Sequence, residues 1–369
     1  MSLCVLHLAA NRWWTGSADP VIRMVTALRA RGHRALLGVI PGDRFEAKAR
    51  EAGVDIVAGL SLRARVDPLA FVRDVRRLRA IVRSEGVQVI HCHHSHDHWL
   101  SMLVRGARRG GPVPVVRTFH NFRSVKSGRI AQWLYRRTAA VFAVSAQIEA
   151  RCRAVGFGDR VLRVPGVADL PRFTGEADGA AIREELKLGS APTIVSVARF
   201  ARNRGHELLL SAFRLLLERS PDARLLLVGK GETRPRLEVL VGEMGLSERV
   251  IFTGYRDRDL PSVLAAADCF VLMAAGSDES CRAALEAMAA ARPVVARAVG
   301  ALPDTVVHGE TGLLVADDKP ESVVAAIVSL LGDPARARAM GLAGRRRAER
   351  EFTPERAVTI VEQAYRSVA

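Results

Sequence analysis

Short apolar segments alternate with amphipathic segments along nearly all of this chain of 369 residues. Apolar runs such as LCVLHLA, RALLGVI and AAVFAVS have the length of buried strands, and the segments between them carry apolar residues at helical spacing. Successive strands joined by helices favour a parallel sheet with helices on both faces. The alternation therefore predicts an α/β fold with doubly wound parallel sheets.

The alternation is interrupted once, between Phe173 and Ala191, where the sequence reads TGEADGAAIREELKLGSA. This segment has few β-branched residues and several glycines, which is typical of a connection between domains. A second alternating series begins with TIVSVA at Thr193. We therefore predict two domains of ordinary size, each with its own parallel sheet.

Several individual elements are specific enough to compare with a structure. The spacing of apolar residues predicts a helix over Pro68 to Ser84, a helix near Trp99 to Arg108 and a last helix near Pro354 to Val368. The runs VDIVAGL and VQVIHCHH are predicted strands.

Cysteine content and the absence of long apolar segments bear on where the protein resides. Five cysteines occur without CxxC spacing, and an odd number argues against a secreted disulfide framework. No uninterrupted apolar segment approaches the roughly 20 residues needed to span a bilayer, and the N-terminal sequence lacks signal-peptide features. We expect a cytoplasmic protein, bound at most peripherally to the inner face of a membrane.

The formal net charge of +16 favours an anionic partner. Arginines interleave with apolar residues at helical spacing over residues 71–83, and basic residues surround Trp133, Leu134 and Tyr135. These segments are interpreted as solvated helices that pack on a sheet, or alternatively as a basic patch that contacts an anionic membrane. Nucleic acid is not expected as a partner, because a recognition motif and a stacking platform of aromatics are missing.

The segment from Gly276 to Val315 carries the clearest indication of a ligand. Its sequence, GSDESCRAALEAMAAARPVVARAVGALPDTVVHGETGLLV, places Asp278 and Glu286 eight residues apart around the start of a predicted helix. The first N–H groups of a helix have no partner within it, and with the macrodipole they favour an anion. Carboxylates beside such a site would accept hydrogen bonds from sugar hydroxyls. This combination is suited to a nucleotide sugar.

The ordered series in this segment resembles a known family. An acidic residue, seven intervening residues and a glutamate, followed by EAMA, PVVA, a glycine and HGETGLLV, resembles the donor-binding signature of the retaining glycosyltransferases of family 4. The resemblance implies the GT-B fold, with two Rossmann-like domains facing across a cleft. It implies an acceptor-binding domain over residues 1–173, a nucleotide-sugar domain over 174–350, and a C-terminal helix over 351–369 that crosses back to the N-terminal domain.

Four residues are assigned catalytic roles. In SVARFARNRGHELLL, Arg199 follows a strand and Arg204 precedes the next helix, so that both guanidinium groups can neutralise a leaving diphosphate. The resemblance implies that Asp278 faces the hydroxyls of the transferred sugar, and that His120 in VVRTFHNF lies beside that sugar. Aspartate is shorter than the usual glutamate, and an alternative register makes Glu279 the sugar contact.

Donor binding is assigned to further residues, mostly at the ends of strands. By the resemblance, Glu286 binds the ribose hydroxyls, and a glycine-containing loop after the first strand lies near the phosphates. The N–H groups at the helix start bind the diphosphate, and the turns after two later strands approach the donor. The full set comprises Gly16, Ser17, Gly229, Gly254, Tyr255, Glu279, Cys281, Arg282, Ala283 and Glu286.

Five histidines lie close together in the sequence IHCHHSHDH, namely His91, His93, His94, His96 and His98. HxH on a strand can present two imidazoles to one metal ion, but no cysteine or acid pair at ligand spacing completes a site. We interpret the cluster as lining the cleft, with His93 or His94 near the acceptor. The resemblance implies that the enzyme needs neither a metal nor a cofactor besides its UDP- or GDP-linked sugar donor.

The predicted function is transfer of a hexose from a nucleotide diphosphate sugar to a hydroxyl acceptor, with retention of configuration, in the synthesis of a lipid-linked or cell-envelope glycan. Two alternatives stay open. The first is a GT-B sugar-nucleotide epimerase. The second is a catalytically weak, glycosyltransferase-like protein that binds a nucleotide or serves as a partner subunit.

Overall fold

The chain divides into two compact units. The computed structural model describes residues 2–11, 18–62, 67–108, 110–276 and 279–369. The first unit comprises Met1–Gly166, Ser277–Ser280 and Pro354–Ala369, and the second comprises Val167–Gly276 and Cys281–Thr353.

The first unit is built on one parallel sheet. Its strands are β1 (Cys4–Ala9), β2 (Arg34–Val39), β3 (Asp55–Ile56), β4 (Val89–Cys92), β5 (Val115–Phe119), β6 (Ala140–Ala143) and β7 (Val161–Arg163). Its helices are α1 (Ala18–Ala30), α2 (Arg44–Glu51), α3 (Pro68–Ser84), α4 (Ser95–Val104), α5 (Arg129–Arg136), α6 (Ala146–Cys152) and, from the end of the chain, α15 (Pro354–Val368). The strand order is β3-β2-β1-β4-β5-β6-β7, and all neighbouring pairs are parallel.

The two faces of this sheet differ in chemistry. Side chains alternate between faces along a strand, so Leu6 and Leu8 of β1 enter the main apolar core while His7 points to the opposite face. His7 and His91 are register partners on β1 and β4. The side chain of Tyr365 from α15 covers them, with its hydroxyl 2.6 Å from His91 Nδ1. The face opposite the main apolar core therefore buries His7 and His91 among apolar residues such as Val5 and Phe142.

The second unit contains another parallel sheet. Its strands are β8 (Thr193–Val197), β9 (Arg224–Val228), β10 (Val250–Gly254), β11 (Cys269–Leu272), β12 (Val294–Arg297) and β13 (Gly312–Val315). Its helices are α7 (Ala180–Glu185), α8 (His206–Leu216), α9 (Arg234–Glu243), α10 (Leu260–Ala265), α11 (Arg282–Ala289), α12 (Leu302–Thr305), α13 (Pro320–Leu331) and α14 (Pro334–Glu351). The strand order is β10-β9-β8-β11-β12-β13.

Both faces of the second sheet are buried. Along β11, Cys269 and Val271 belong to one apolar cluster, whereas Phe270 and Leu272 belong to another on the opposite face. A parallel strand that is covered on both sides needs a continuous apolar sequence, and CFVL provides it. The prediction of doubly wound α/β sheets is confirmed.

Two helices have the bounds that the sequence predicted. The predicted helices at Pro68–Ser84 and Pro354–Val368 are α3 and α15, with the same first and last residues. Asp67 caps α3 by accepting a hydrogen bond from the Ala70 N–H at 3.0 Å, and Pro68 occupies the first turn.

Three element predictions were wrong. VDIVAGL forms only the two-residue strand β3, because Gly59 adopts a φ of +84° and the chain turns away from the sheet edge. The strand predicted for VQVIHCHH ends at Cys92, and α4 begins at Ser95, earlier than predicted. The third is the helix near Trp99 to Arg108, since α4 ends at Val104.

The segment interpreted as the connection between domains contains α7, a short helix that buries Ile182.

Gly341 provides a test of packing in the second unit. A Cβ atom at this position of α14 would lie 2.1 Å from the Ala291 carbonyl oxygen. We expect Gly341→Ala to lower the free energy of unfolding by about 1–3 kcal/mol, because backbone must move to relieve the overlap. Urea unfolding measures the change.

Gly242, in the last turn of α9, is the matched control, since nothing lies within 4 Å of a Cβ atom placed there. Gly242→Ala is expected to raise the free energy of unfolding by about 0.5–1 kcal/mol through helix propensity. Equal changes in the free energy of unfolding for the two variants would contradict the close contact of α14 with the backbone at Ala291.

Candidate functional site

The strand order of the second sheet reverses direction between β8 and β11, which are neighbours in space. The chain proceeds from β8 to β9 and β10 on one side, and from β11 to β12 and β13 on the other. Segments that follow adjacent strands diverge at such a point and leave a crevice at the carboxyl ends, where ligands bind in open α/β sheets. The loops after β8 and β11 therefore form the candidate ligand-binding site of the second unit.

The loop after β8 carries Arg199 and Arg204, the two predicted phosphate-binding arginines. Arg199 Nη2 lies 3.0 Å from Glu232 Oε2 in an ion pair that is largely exposed, so this pair adds little to stability. Arg204 is half-buried, and burial lowers its guanidinium pKa, with a further contribution from Arg199 that Glu232 opposes. The structure thus brings the two cations close enough to repel each other.

Gly205 connects this loop to α8 and brings it against the end of β11. Its φ of +74° is in the left-handed region, and a Cβ atom there would lie 2.5 Å from Met273 Cβ. Only glycine meets both requirements. The loop with the arginines is consequently fixed beside the first residue after β11.

Gly229 and Gly231 hold the loop after β9 against the loop after β8. A Cβ atom would lie 2.0 Å from the Ala198 carbonyl oxygen at Gly229, and 2.0 Å from the Phe200 carbonyl oxygen at Gly231. The Gly229 N–H donates to the Gly254 carbonyl at 2.8 Å. The visible role of this GxG sequence is close backbone packing, and a contact of Gly229 with the donor stays a prediction.

Gly254 ends β10, and Tyr255 follows it at the same edge of the sheet. Gly254 has a φ of +74°, and the Lys230 ammonium lies 5.1 Å from the centre of the Tyr255 ring. The tyrosine ring is partly exposed. These residues therefore lie at the carboxyl ends of the strands on the β9–β10 side, and their contact with the donor stays a prediction.

The helix predicted after Asp278 is α11, and it begins at Arg282. Cys281 precedes it in a left-handed conformation with φ +54° and ψ +46°, and its thiol is 3.7 Å from the Ala275 carbonyl oxygen. A left-handed non-glycine residue is uncommon and persists where the surrounding structure holds the backbone in that conformation. This conformation determines the direction in which the first N–H groups of α11 point, including those of Arg282 and Ala283.

Glu286 lies one turn into α11 and is only 6% exposed. Its Oε1 is 3.1 Å from Arg282 Nε, in an ion pair between residues four apart on the helix. A carboxylate buried to this extent needs hydrogen-bond donors, and Arg282 supplies one. The predicted ribose ligand is therefore an ordered acceptor near the start of the helix.

In the first unit, His120 follows the last residue of β5 and is buried. The Glu279 N–H donates to the His120 carbonyl at 2.8 Å, and Glu279 Oε1 accepts from the Phe122 N–H at 2.9 Å. The structure thus brings together two predicted site residues, His120 and Glu279. Three further predicted residues, Gly16, Ser17 and Asp278, lie outside the described residues.

The histidines near His120 are buried and neutral. Burial lowers the pKa of His7 to about 3, and it also lowers the pKa of His94 to about 3, with smaller contributions from His120 and Arg117. The pKa values of His91 and His93 are also lowered, mainly by burial and to a smaller extent by neighbouring histidines. Their imidazoles are therefore uncharged hydrogen-bonding groups at neutral pH.

His7, His91 and His93 each present one nitrogen within 4.8 Å of the others, which is a candidate arrangement for a metal ion. Each of their six ring nitrogens already lies within hydrogen-bond distance of a protein group. A metal would have to replace several of these bonds. Sequence analysis named His91 and His93 but missed His7 and Tyr365. A polar residue in the otherwise apolar strand LCVLHLA was the available signal for His7.

The chain thus has two units, each built on a parallel α/β sheet. In the second sheet, Arg199 and Arg204 follow β8, and the buried Glu286 lies on the helix that follows the neighbouring strand β11. These features define a protein of the GT-B fold. The structure of HepE from Anabaena, in complex with UDP and glucose, superposes with a TM-score of 0.83 over 99% of both chains at 20% sequence identity. This likeness supports the fold.

Sequence comparison identifies the family. Residues 15–172 match Glycosyltransferase Family 4, and residues 179–347 match Glycosyl transferases group 1. A Mycolicibacterium smegmatis protein named GDP-mannose-dependent alpha-(1-6)-phosphatidylinositol monomannoside mannosyltransferase is 32% identical over 289 residues, covering 75% of this chain and 68% of that protein. A Mycobacterium tuberculosis protein of the same name is 31% identical over 317 residues, covering 82% and 81%. The chain belongs to the family 4 glycosyltransferases, as the sequence motifs predicted.

Among the described residues, none of the helices contains a segment that is long and apolar enough to cross a membrane.

Proposed function

We propose that this glycosyltransferase transfers a hexose from a nucleotide diphosphate sugar to a hydroxyl acceptor with retention of configuration, in the synthesis of a lipid-linked or cell-envelope glycan. The observation that carries the proposal is the arrangement around β8 and β11. Two arginines follow one strand, and a buried glutamate lies on the helix that follows the other.

Donor binding is assigned to the second unit. Burial already removes part of the water around the Arg204 guanidinium when no ligand is bound. Hydrogen bonds to an anionic diphosphate would replace the interactions with water that this cation has lost. The N–H groups of Cys281, Arg282 and Ala283 supply further donors. Glu286 accepts hydrogen bonds from the ribose hydroxyls, and its ion pair with Arg282 holds the carboxylate in place.

Transfer itself requires little of the protein beyond positioning and charge. The bond between the anomeric carbon and the diphosphate oxygen breaks, and a bond from that carbon to the acceptor oxygen forms on the same face. The acceptor proton passes to the departing diphosphate. Arg199 and Arg204 stabilise the charge that develops on the leaving group. His120 orients a hydroxyl of the reacting sugar, and Asp278 contacts the same sugar. Neither a metal nor a further cofactor takes part in this proposal.

GDP-mannose is the donor to examine first, because both mycobacterial relatives are named GDP-mannose-dependent. UDP-glucose is the second, since HepE was solved with UDP and glucose. The names of the mycobacterial relatives suggest an acceptor built on phosphatidylinositol carrying one mannose. A lipid of this class would place the enzyme at an anionic membrane surface.

The configuration of the product tests the proposed reaction. The protein is incubated with GDP-mannose or UDP-glucose and a short-chain phosphatidylinositol mannoside, and NMR of the product gives the anomeric configuration. We expect an α-linkage from an α-configured donor. A β-linkage would contradict retention, and conversion of the donor to its epimer without transfer would favour an epimerase.

Substitution of Glu286 tests the donor site. Glu286→Ala is expected to weaken donor binding by about 10- to 100-fold, because a hydrogen bond to a charged group contributes about 1.5–3 kcal/mol. Titration calorimetry with the donor measures the change. Thermal unfolding checks that loss of the Arg282 pair leaves the fold intact.

The matched control is Glu238→Ala. Glu238 also pairs with an arginine four residues earlier, with 2.8 Å between its Oε1 and Arg234 Nε, but it lies on the exposed side of α9. Its replacement should leave donor affinity within about twofold, since an exposed pair contributes little. Equal affinities for the two variants would exclude Glu286 as the ribose ligand.

A surface of the first unit is suited to the proposed membrane contact. Helices α3 and α5 bury one face, as expected for helices that pack on a sheet, but both also expose large apolar side chains. The exposed set is Leu69 and Val72 of α3, Leu103 of the neighbouring helix α4, and Ile130 and Trp133 of α5. These helices are also rich in arginine, and the whole protein carries a charge of +16.

The patch is continuous across α3, α4 and α5. Arg79 of α3 donates to the Leu103 carbonyl of α4 at 3.2 Å, and Trp99 of α4 stacks on Trp133 of α5 with 6.0 Å between ring centres. The Arg137 guanidinium lies 4.1 Å above the Trp133 ring. Apolar side chains surrounded by cations are the composition expected of a peripheral site for anionic lipid.

Ile130→Asp tests this surface. Ile130 is 73% exposed on α5, and its replacement should reduce binding to vesicles containing phosphatidylglycerol by about tenfold or more, because insertion of the side chain is lost and a negative charge is added. Val239 of α9, 61% exposed, is the control, and Val239→Asp should have little effect. Flotation with anionic and neutral vesicles measures binding. Unchanged flotation of the Ile130 variant would argue against membrane contact through α5.

A further inference from the structure

A chain of hydrogen bonds runs along the buried face of the first sheet that carries His7 and His91, and it ends at His120. Its members come from β1, β4, β5, the segments that follow β4 and β5, and the C-terminal helix. In order they are Thr118, His91, Tyr365, His7, His93 and His120. All of them are buried.

Tyr365 occupies the middle of this chain and joins two strands. Its hydroxyl is 2.6 Å from His91 Nδ1 and 3.4 Å from His7 Nε2. The second nitrogen of His91, Nε2, is 2.7 Å from Thr118 Oγ1. Among the described residues, the Tyr365 hydroxyl of the C-terminal helix is therefore the only hydroxyl of this hydrogen-bonded chain that links β1 to β4.

The remaining bonds lead from β1 to the predicted catalytic region. His7 Nδ1 is 3.2 Å from His93 Nε2, and His93 Nδ1 is 3.2 Å from His120 Nε2. The imidazoles of His91 and His93 also stack, with 4.4 Å between ring centres, which restricts rotation of both rings.

Each neutral imidazole carries one N–H and one unprotonated nitrogen, so the direction of one hydrogen bond determines the next. If Tyr365 donates to His91, then its oxygen accepts from His7 Nε2–H. His7 Nδ1 is then unprotonated and accepts from His93 Nε2–H. His93 Nδ1 in turn accepts from His120 Nε2–H.

The opposite direction reverses every tautomer. If Tyr365 donates to His7, each histidine of the chain carries its proton on Nδ1 and not on Nε2. Either way, all four histidines have the same tautomer. The contact of 2.6 Å has the length of a strong hydrogen bond in which a hydroxyl donates, and the contact of 3.4 Å is much longer. The geometry therefore favours donation from Tyr365 to His91 and a proton on Nε2 of all four histidines.

We propose that Tyr365 is a positioning residue that fixes the tautomer of His120 through the hydrogen-bonded chain of His7 and His93. Its hydroxyl determines which nitrogen of His120 donates, although Tyr365 lies 245 positions further along the sequence and belongs to the last helix. The consequence for catalysis, that His120 is held in the tautomer that orients a hydroxyl of the reacting sugar, rests on the proposed function. The effect on the tautomer does not.

Metal binding by His7, His91 and His93 is the competing explanation of this cluster. It leaves Tyr365 and Thr118 unexplained, whereas the hydrogen-bonded chain uses all six ring nitrogens of these histidines and both hydroxyls. Burial lowers the pKa of His7 to about 3, which keeps its imidazole in the neutral form that such a chain requires.

NMR of the ¹⁵N-histidine-labelled full chain tests the proposal, because the two ring nitrogens of each tautomer have distinct chemical shifts. In the wild-type protein we expect His7, His91, His93 and His120 all to be protonated on Nε2. A mixture of Nε2 and Nδ1 tautomers among these four histidines would overturn the proposal without the need for any variant.

Tyr365→Phe removes one oxygen and keeps the ring that packs against Phe142. We expect the His120 nitrogen shifts to move toward values averaged over the two tautomers. The control is Tyr135→Phe, since Tyr135 is equally buried and its hydroxyl accepts from the Lys126 N–H at 3.0 Å, outside the chain. Unchanged His120 shifts in a folded Tyr365→Phe protein would overturn the proposal.

Steady-state kinetics provides a second readout. Loss of one orienting hydrogen bond should lower kcat of Tyr365→Phe about tenfold, with KM for the donor within about twofold. Altered tautomers with an unchanged kcat would overturn the positioning role and leave the glycosyltransferase assignment standing. Absence of transfer by the wild-type protein would overturn the proposed function, and the NMR result would still decide the hydrogen-bonded chain.

Discussion

Parallel pairing of strands is the constraint on which the rest of this structure depends. Because every strand of a parallel sheet ends at the same edge, the loops that follow the strands converge, and a reversal of strand order separates two of them. In the second unit this reversal falls between β8 and β11. Arg199, Arg204 and Glu286 lie on segments that follow these two strands, so residues about 80 positions apart in sequence lie at the same edge of the sheet as a consequence of topology.

Backbone packing keeps these loops in place without using side chains that a ligand would need. Gly229 and Gly231 allow the loop after β9 to touch the loop after β8, and Gly205 allows the latter to touch Met273. The charged side chains are then left at the surface of a rigid support. In the first unit, neutral histidines hold the region around His120 in place. Burial removes their charge, and hydrogen bonds and ring stacking restrict rotation of their rings.

Much of this arrangement could be predicted from the sequence, because it depends on local patterns. The alternation of apolar and amphipathic segments gave the fold class, and α3 and α15 have the bounds that periodicity and capping indicate. Prediction failed where a single backbone conformation decided the outcome, as at Gly59, which ends β3 early. The chain from Tyr365 to His7 was missed because its ends are 358 residues apart and neither residue belongs to a motif.

We propose that the second unit holds a nucleotide sugar through arginines and helix N–H groups, without a metal. Titration calorimetry of UDP-, GDP- and ADP-linked sugars into the full-length protein, with and without EDTA, tests it most directly. The account predicts saturable binding of one donor with an affinity that the chelator does not change. Loss of binding on chelation, or no binding across the whole panel, would contradict it.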